Sequence, residues 1–228
     1  MRNTLNLFLC LIFLGLSFSS QAQQKSPKPY LATDGEMIFG FNQLSIPNEF
    51  FDRKMRFSFF PHVDFTVHKD FSKNIGIYAG IGHQNIGLRI EDSVKRMHRS
   101  LVVNAPIGLK VGDFEKGVFL FGGVDFGYFY HYRQRYRIGD DKIVIKEFNS
   151  DRINNTNMAW FVGLELPGGI NLRFKYYMND FFNQDYVNEA GAMPYAGASS
   201  PIWYISLGSR NVLGGNRWRE EGLNLGDD

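Results

Sequence analysis

Cysteine is almost missing from this chain. Cys10 is the only one in 228 residues, and it lies inside an apolar stretch, Leu5–Leu16, interrupted only by Asn6. A lone cysteine excludes an intramolecular disulfide and a cysteine-built metal site. Phe8 and Leu9 precede it where a lipid-anchored cysteine needs small residues. Long hydrophobic runs are missing too. Beyond residue 22 no stretch reaches 18 consecutive apolar residues, which leaves no helical membrane span. A basic excess is also lacking, since 25 Lys and Arg face 23 Asp and Glu, and this argues against a nucleic-acid binder. No strand, Gly-rich loop and helix follow one another in the way a phosphate-binding loop requires.

What is present begins with an address. Arg2, the apolar stretch 5–16 and the small residues Ser20 and Ala22 read as a signal peptide cut after Ala22. Its apolar core is too short to cross a bilayer. Removing residues 1–22 takes away Arg2 and Cys10, so the mature chain is exported without any disulfide.

Beyond it, apolar residues alternate with others in eight stretches, the period of a strand. Leu101, Val103, Ala105, Ile107, Leu109 and Val111 alternate with residues that include Asn104 and Lys110. Phe57, Phe59, Val63, Phe65 and Val67 alternate with Arg56, His62, Asp64 and His68. Ile75–Ile81, Val118–Tyr130, Met158–Leu166, Ile170–Tyr176 and Trp203–Leu207 behave alike, and a weaker first strand carries Met37, Phe39 and Phe41. The apolar stripes hold no charge, while the opposite stripes hold Arg56, Asp64, Lys110, Asp125, Glu165, Arg173 and Lys175. A soluble sandwich accounts for alternation equally well.

Loop length separates the two. Connections after the second, fourth and sixth strands are short: Lys69–Asn74, Gly112–Lys116 and Pro167–Gly169. Those after the first, third, fifth and seventh are long and polar: Ser45–Lys54, Asn85–Arg99, Arg133–Asn157 and Asn179–Pro201. A meander inserted into a membrane from one side sorts its connections this way. Tyr130, Trp160, Tyr176 and Trp203 fall at the loop-side strand ends, where an interfacial aromatic girdle belongs. The fold expected is an all-β, transmembrane, antiparallel up-and-down β-barrel of about eight strands. Ten result if Lys142–Phe148 and Arg133–Ile138 both span. They are read instead as a hairpin standing above the membrane across Gly139-Asp140-Asp141. Pro61 and Pro106 fall inside strands, so a bulge is expected at each.

The run Leu101–Val111 (LVVNAPIGLKV), then Gly117–Tyr132 (GVFLFGGVDFGYFYHY), resembles the central hairpin of the small, porin-like outer-membrane β-barrel domain family. The shared features are Pro106 and Lys110 in one strand, then Gly122, Gly123, Gly127 and Tyr128 in the next, and the resemblance covers roughly 35–212. Many outer-membrane barrels end on an aromatic residue that the insertion machinery reads. Here a polar tail follows instead. The resulting division is 1–22 signal peptide, 23–34 periplasmic N-terminal segment, 35–208 outer-membrane barrel and 209–228 polar periplasmic tail.

No motif supplies catalysis, a cofactor or a metal. His62, Asp64 and His68 share one strand face and could orient a base or hold a metal. The simpler reading makes them part of a lumen polar network: Arg56, His62, Asp64, Lys110, Asp125, Glu165, Arg173 and Lys175. His83 and His131 lie near loop-side strand ends, but no serine stands at strand spacing from either to make a lipid-modifying site. The function expected is an integral outer-membrane protein with a structural or surface-interaction role, a filled lumen and Arg133–Asn157 as a contact surface. It is not expected to be an enzyme. The alternatives are a narrow porin or transporter of small solutes and, third, a lipid-modifying enzyme. The partners expected are outer-membrane lipids, lipopolysaccharide and the barrel-insertion machinery, with no nucleic acid. Both mature termini are expected in the periplasm.

Overall fold

Alternation at period two becomes strands, and the strands close on themselves. The computed structural model describes residues 28–42, 44–47, 49–50, 54–91, 95–139 and 141–213. Residues 1–27, which include the expected signal peptide, and 214–228, most of the expected tail, lie outside the described residues. In chain order the strands are β1 (Tyr30–Asn42), β2 (Ser45–Ile46), β3 (Glu49–Phe50), β4 (Lys54–Asp70), β5 (Ile75–Glu91) and β6 (Lys95–Asp113). Then come β7 (Val118–Ile138), β8 (Asp141–Phe148), β9 (Thr156–Glu165), β10 (Ile170–Tyr177) and β11 (Trp203–Leu213).

Eight of these form a ring in the order β1-β4-β5-β6-β7-β9-β10-β11, each pair antiparallel. β11 pairs back onto β1 from Leu31↔Leu213 to Gly40↔Tyr204. Closure removes the sheet edges that would leave backbone polar groups unpaired in lipid. β9 pairs with the first half of β7, Phe119↔Glu165 to Tyr128↔Thr156. β8 pairs with the second half, His131↔Phe148 to Ile138↔Asp141. The KIVIKEF strand is therefore a hairpin rising above the ring, and β2 with β3 makes a second small hairpin in the first loop.

Three tight turns lie at one end of the ring. In the Leu166–Gly169 turn, Pro167 fixes its own φ, Gly168 takes φ +87°, and the Gly169 N–H donates to the Leu166 carbonyl at 3.2 Å. That is the Pro-then-Gly pattern of a type II turn.

Several boundaries differ from the sequence reading. Asn85–Arg99 is not a loop. β5 and β6 stay paired through Glu91↔Lys95, and Arg133–Ile138 likewise continues β7. Ladder bonds join backbone groups, so polar side chains mark a solvated stretch of hairpin here and not the end of the strand. The ring also begins at Tyr30 and ends at Leu213, outside the 35–208 expected. Asp34 and Arg210 read as polar termini but are lumen-facing strand residues.

The prolines behave differently from each other. Between Glu36↔His62 and Ile38↔Ser58 the register shifts, so Met37 faces residues 59–61 in a bulge that contains Pro61. At Pro106 no bulge forms. The register is the same at Ala79↔Ile107 and Gly82↔Asn104, and only the pairing of residues 105 and 106 with β5 lapses. A missing N–H donor is met there by an omitted bond without a slip. The bulge on this wall lies at Leu101/Val102, where Tyr130 is the extra residue of β7.

Because β8 pairs only with β7, the ring does not depend on it. Replacing residues 135–144 by a two-residue Asn-Gly turn should leave the barrel closed. The check is migration of unheated protein on gels, where loss of the folded-form shift would contradict this topology.

Candidate functional site

Residues between the apolar stripes point into the lumen, which they fill in layers. At the turn end the Lys110 ammonium lies 2.7 Å from Asp70, both fully buried. It also donates to the Tyr30 hydroxyl at 2.7 Å and sits 4.6 Å from the centre of the Phe114 ring. The rings of Tyr30, His68 and Tyr78 stack in series at 5.0 Å spacings. Arg210 bridges Asp34 at 2.8 Å and Glu165 at 3.0 Å.

The middle layer joins strands across the whole ring. Arg173 lies 3.3 Å from Asp64 and 3.6 Å from Glu36. Lys175 pairs directly with Asp125 and donates to Gln84 Oε1 at 3.1 Å. Asn104 Nδ2 reaches Asp64 and Asp125, each at 3.1 Å, and the Ser206 hydroxyl donates to Glu36 at 2.6 Å. Inward glycines make room that neighbours occupy: a Cβ on Gly108 would stand 2.7 Å from the Tyr78 ring. Above this layer Arg56 donates to Asn85 Oδ1 at 2.8 Å. His62 Nδ1 accepts the Asn85 N–H at 3.2 Å, which leaves Nε2 to donate to Ser58 Oγ at 3.1 Å.

The loop end is apolar. The segment 178–202 turns back over the ring and buries Phe181, Phe182, Tyr195 and Ile202 against inward residues such as Ile86, Leu88, Val102 and Phe129. Phe182 stacks on Tyr195 at 4.2 Å and meets His98 edge-on at 5.0 Å. Burial pushes the Tyr195 hydroxyl above its ordinary value. Backbone bonds pin the segment: Phe181 N–H to the Ser200 carbonyl at 3.0 Å, Asn154 N–H to the Phe181 carbonyl at 3.0 Å, and Ser45 with Ser199 in both directions.

All eight residues singled out from the sequence (Arg56, His62, Asp64, Lys110, Asp125, Glu165, Arg173 and Lys175) are buried in the lumen. They do not form one cluster. Lys110 and Glu165 belong to the turn end, Arg56 and His62 to the side nearer the loops, and Asp64, Asp125, Arg173 and Lys175 to the middle. The sequence reading missed Asp34, Glu36, Asp70 and Arg210, which complete the ion pairs. Continuing the alternation outward would have found them, since Tyr204, Ser206, Gly208 and Arg210 share one face. Among the described residues no group of three or more His, Cys, Asp or Glu side chains is placed to hold a metal ion.

The outer wall has the opposite character. Ile107, Leu109 and Leu120 are 52%, 60% and 58% exposed, whereas Lys110, Lys175 and Asp125 are at most 3% exposed. Water as the surrounding solvent would favour the reverse; a hydrocarbon surround with a polar interior requires this arrangement. Trp203, Phe41, Phe174 and Trp160 form a continuous outward aromatic row at 5.2–5.9 Å spacings, the girdle of such a wall. The chain is an outer-membrane-type β-barrel.

No family model matches this chain, and no curated protein matches it. Among solved structures it is similar to small outer-membrane barrels. Ail, the attachment invasion locus protein of Yersinia pestis, is 12% identical at TM-score 0.40, covering 80% of this chain and 99% of that one. Neisserial surface protein A is 8% identical at TM-score 0.43, covering 81% and 98%. OprG of Pseudomonas aeruginosa is 10% identical at TM-score 0.36, covering 82% and 97%.

Three outcomes follow for unfolding in urea from lipid vesicles. Val124→Arg, on the outward stripe opposite Ile107 and Trp160, should cost about 2–4 kcal/mol. Lys175→Met alone should cost about 3–5 kcal/mol, because it leaves Asp125 buried without its cation. Adding Asp125→Asn to it should recover most of that loss.

Proposed function

We propose that this protein is an integral outer-membrane protein with a structural or surface-interaction role and no catalytic one, its lumen filled and not conducting. The observation that carries this reading is the filling of the lumen in three layers. An aromatic plug made by 178–202 lies at the loop end. A cross-strand ion-pair network lies in the middle. A second apolar cluster of Tyr78, Phe114, Phe119, Phe121 and Phe161 lies toward the turns. A solute would have to displace all three.

In this reading the tight turns face the periplasm and the loops face outward, so both mature termini are periplasmic. Residues 1–22 act as the export signal, and the chain beyond residue 213 is a periplasmic tail. Outer-leaflet lipids and lipopolysaccharide surround the wall, and the barrel-insertion machinery places it there. His83 and His131 do not suggest lipid hydrolysis. The hydroxyl that meets His83 Nε2, at 3.0 Å, is that of Tyr130, and not the serine, threonine or cysteine that usually serves as the acyl-accepting nucleophile.

Purified protein in planar bilayers should show no stepwise conductance. Reproducible channel events would replace this reading with that of a narrow pore. Phe182→Ala should loosen the plug, observed as faster protease cleavage within 183–197 from the outside of intact cells. Unchanged cleavage would mean that the segment is not held by its aromatic contacts.

A further inference from the structure

Above the apolar belt, the outward face of the tallest wall turns basic. The outward residues of β6 from Val111 to Leu101 are apolar throughout. Ten steps of ~3.3 Å along a strand tilted ~40° span about 25 Å of height, the thickness of the apolar band of such a barrel. The next outward residue is Arg99. It stands opposite Arg133 on β7, which stands opposite Lys146 on β8. In the row above, Met97 faces Arg135. A cleft of about 310 Å³ is lined there by Lys95, Met97, Arg135, Tyr136, Arg137 and Lys142.

Like charges directly opposite on paired strands repel. In the lumen Lys110, Arg173, Lys175 and Arg210 each have a carboxylate within reach; on this ladder no cation does. Among the described residues no carboxylate makes an ion pair with Arg99, Arg133, Arg135 or Lys146. The Nε atoms of Arg99 and Arg133 are buried without a hydrogen-bond partner. Such a ladder is complementary to an anion with several oxygens, which could accept from both guanidinium groups at once.

Its position selects the kind of anion. The ladder continues the lipid-facing stripe and does not face the lumen mouth. Nearer mid-membrane a mostly apolar groove of about 500 Å³ runs from Ile81 of β5 across Val103 and Phe126 to Met158 of β9, with Asn157 and Asn179 also in its lining. We propose that Arg99, Arg133 and Lys146, with the cleft above them, bind the phosphate groups of an outer-leaflet glycolipid whose acyl chain lies in this groove. The inference rests on the outward placement of the loop end proposed above.

The test uses the full mature chain, folded in phosphocholine micelles, with lipid retention read by native mass spectrometry. Bisphosphorylated lipid A should be retained. Arg99→Gln, Arg133→Gln and Lys146→Gln together should weaken that retention by about tenfold or more. Dephosphorylated lipid A should bind weakly to wild type and variant alike. Lys73→Gln with Lys116→Gln, at the exposed turns of the opposite end, should change nothing. Equal retention of the two lipid forms by wild type would overturn the proposal, as would unchanged retention by the triple variant. Displacement of lipid A by an equal concentration of inorganic pyrophosphate would reassign the site to soluble anions and overturn it also. Folding of each variant is checked by its unheated gel shift, and Arg133→Gln alone gives the same reading if the triple variant does not fold. If wild type itself shows no shift, the barrel reading fails and not this site.

Discussion

The closure of β1 onto β11 is the contact on which everything else in this barrel depends. The two strands are the first and last of the ring, and their register sets Asp34 opposite Arg210. The same register brings the Arg210 guanidinium within 2.8 Å of Asp34 and the Ser206 hydroxyl within 2.6 Å of Glu36. A slip by one residue would turn every side chain of a strand to the other face. It would put Arg210 into lipid and Leu207 or Leu213 into the lumen. Charge pairing and closure therefore specify each other. Buried ion pairs add little net stability after desolvation, but they penalise misaligned alternatives strongly. Across the ring seam that penalty acts on the contact with the greatest sequence separation.

The same logic runs through the lumen. Among the described residues, Asp34, Glu36, Asp64, Asp70, Asp125 and Glu165 face Arg56, Lys110, Arg173, Lys175 and Arg210. Six carboxylates and five cations leave the charge of the lumen nearly balanced. The pairs also join strands that are not neighbours, Lys175 of β10 with Asp125 of β7 and Arg173 of β10 with Asp64 of β4. An eight-stranded ring is narrow enough for such spokes to meet at its axis.

Most of the wall was legible in the sequence because its rule is local. Alternation needs only neighbours, so the stripes from Ile75 to Ile81 and from Leu101 to Val111 and the charges between them could be assigned directly. The sorted connections also put the three tight turns at one end of the ring, as the structure has them. The errors have physical origins. Polarity was taken to end a strand at Asn85, whereas an antiparallel hairpin extends into water on backbone bonds alone, as the expected hairpin of Arg133–Ile138 with Lys142–Phe148 does. Pro106 was given a bulge that its strand avoids by omitting a bond. The plug was illegible for a different reason. Phe181, Phe182 and Tyr195 sit in a stretch with no periodicity, among Asn, Gly, Pro and Ala, and their partners are the distant Phe129 and His98. No repeat in the sequence encodes a contact between an irregular loop and the inside of a barrel.

The plug in turn explains the unequal height of the rim. β5, β6 and β7 are 17, 19 and 21 residues long, whereas β9 and β10 have 10 and 8. Segment 178–202 enters over the low side and packs against the inner face of the high side, on Ile86, Leu88 and Ile90 of β5 and on Val102 of β6. A free two-sided hairpin of that height would be marginal in water. Here the apolar inner face is covered by the plug, which supports the wall from within. The outer face is then free of any packing duty, so it can carry Arg99, Arg133 and Lys146 side by side. The segment that packs into the loop end of the ring is thus also what leaves the outer face of the wall free to carry a basic row.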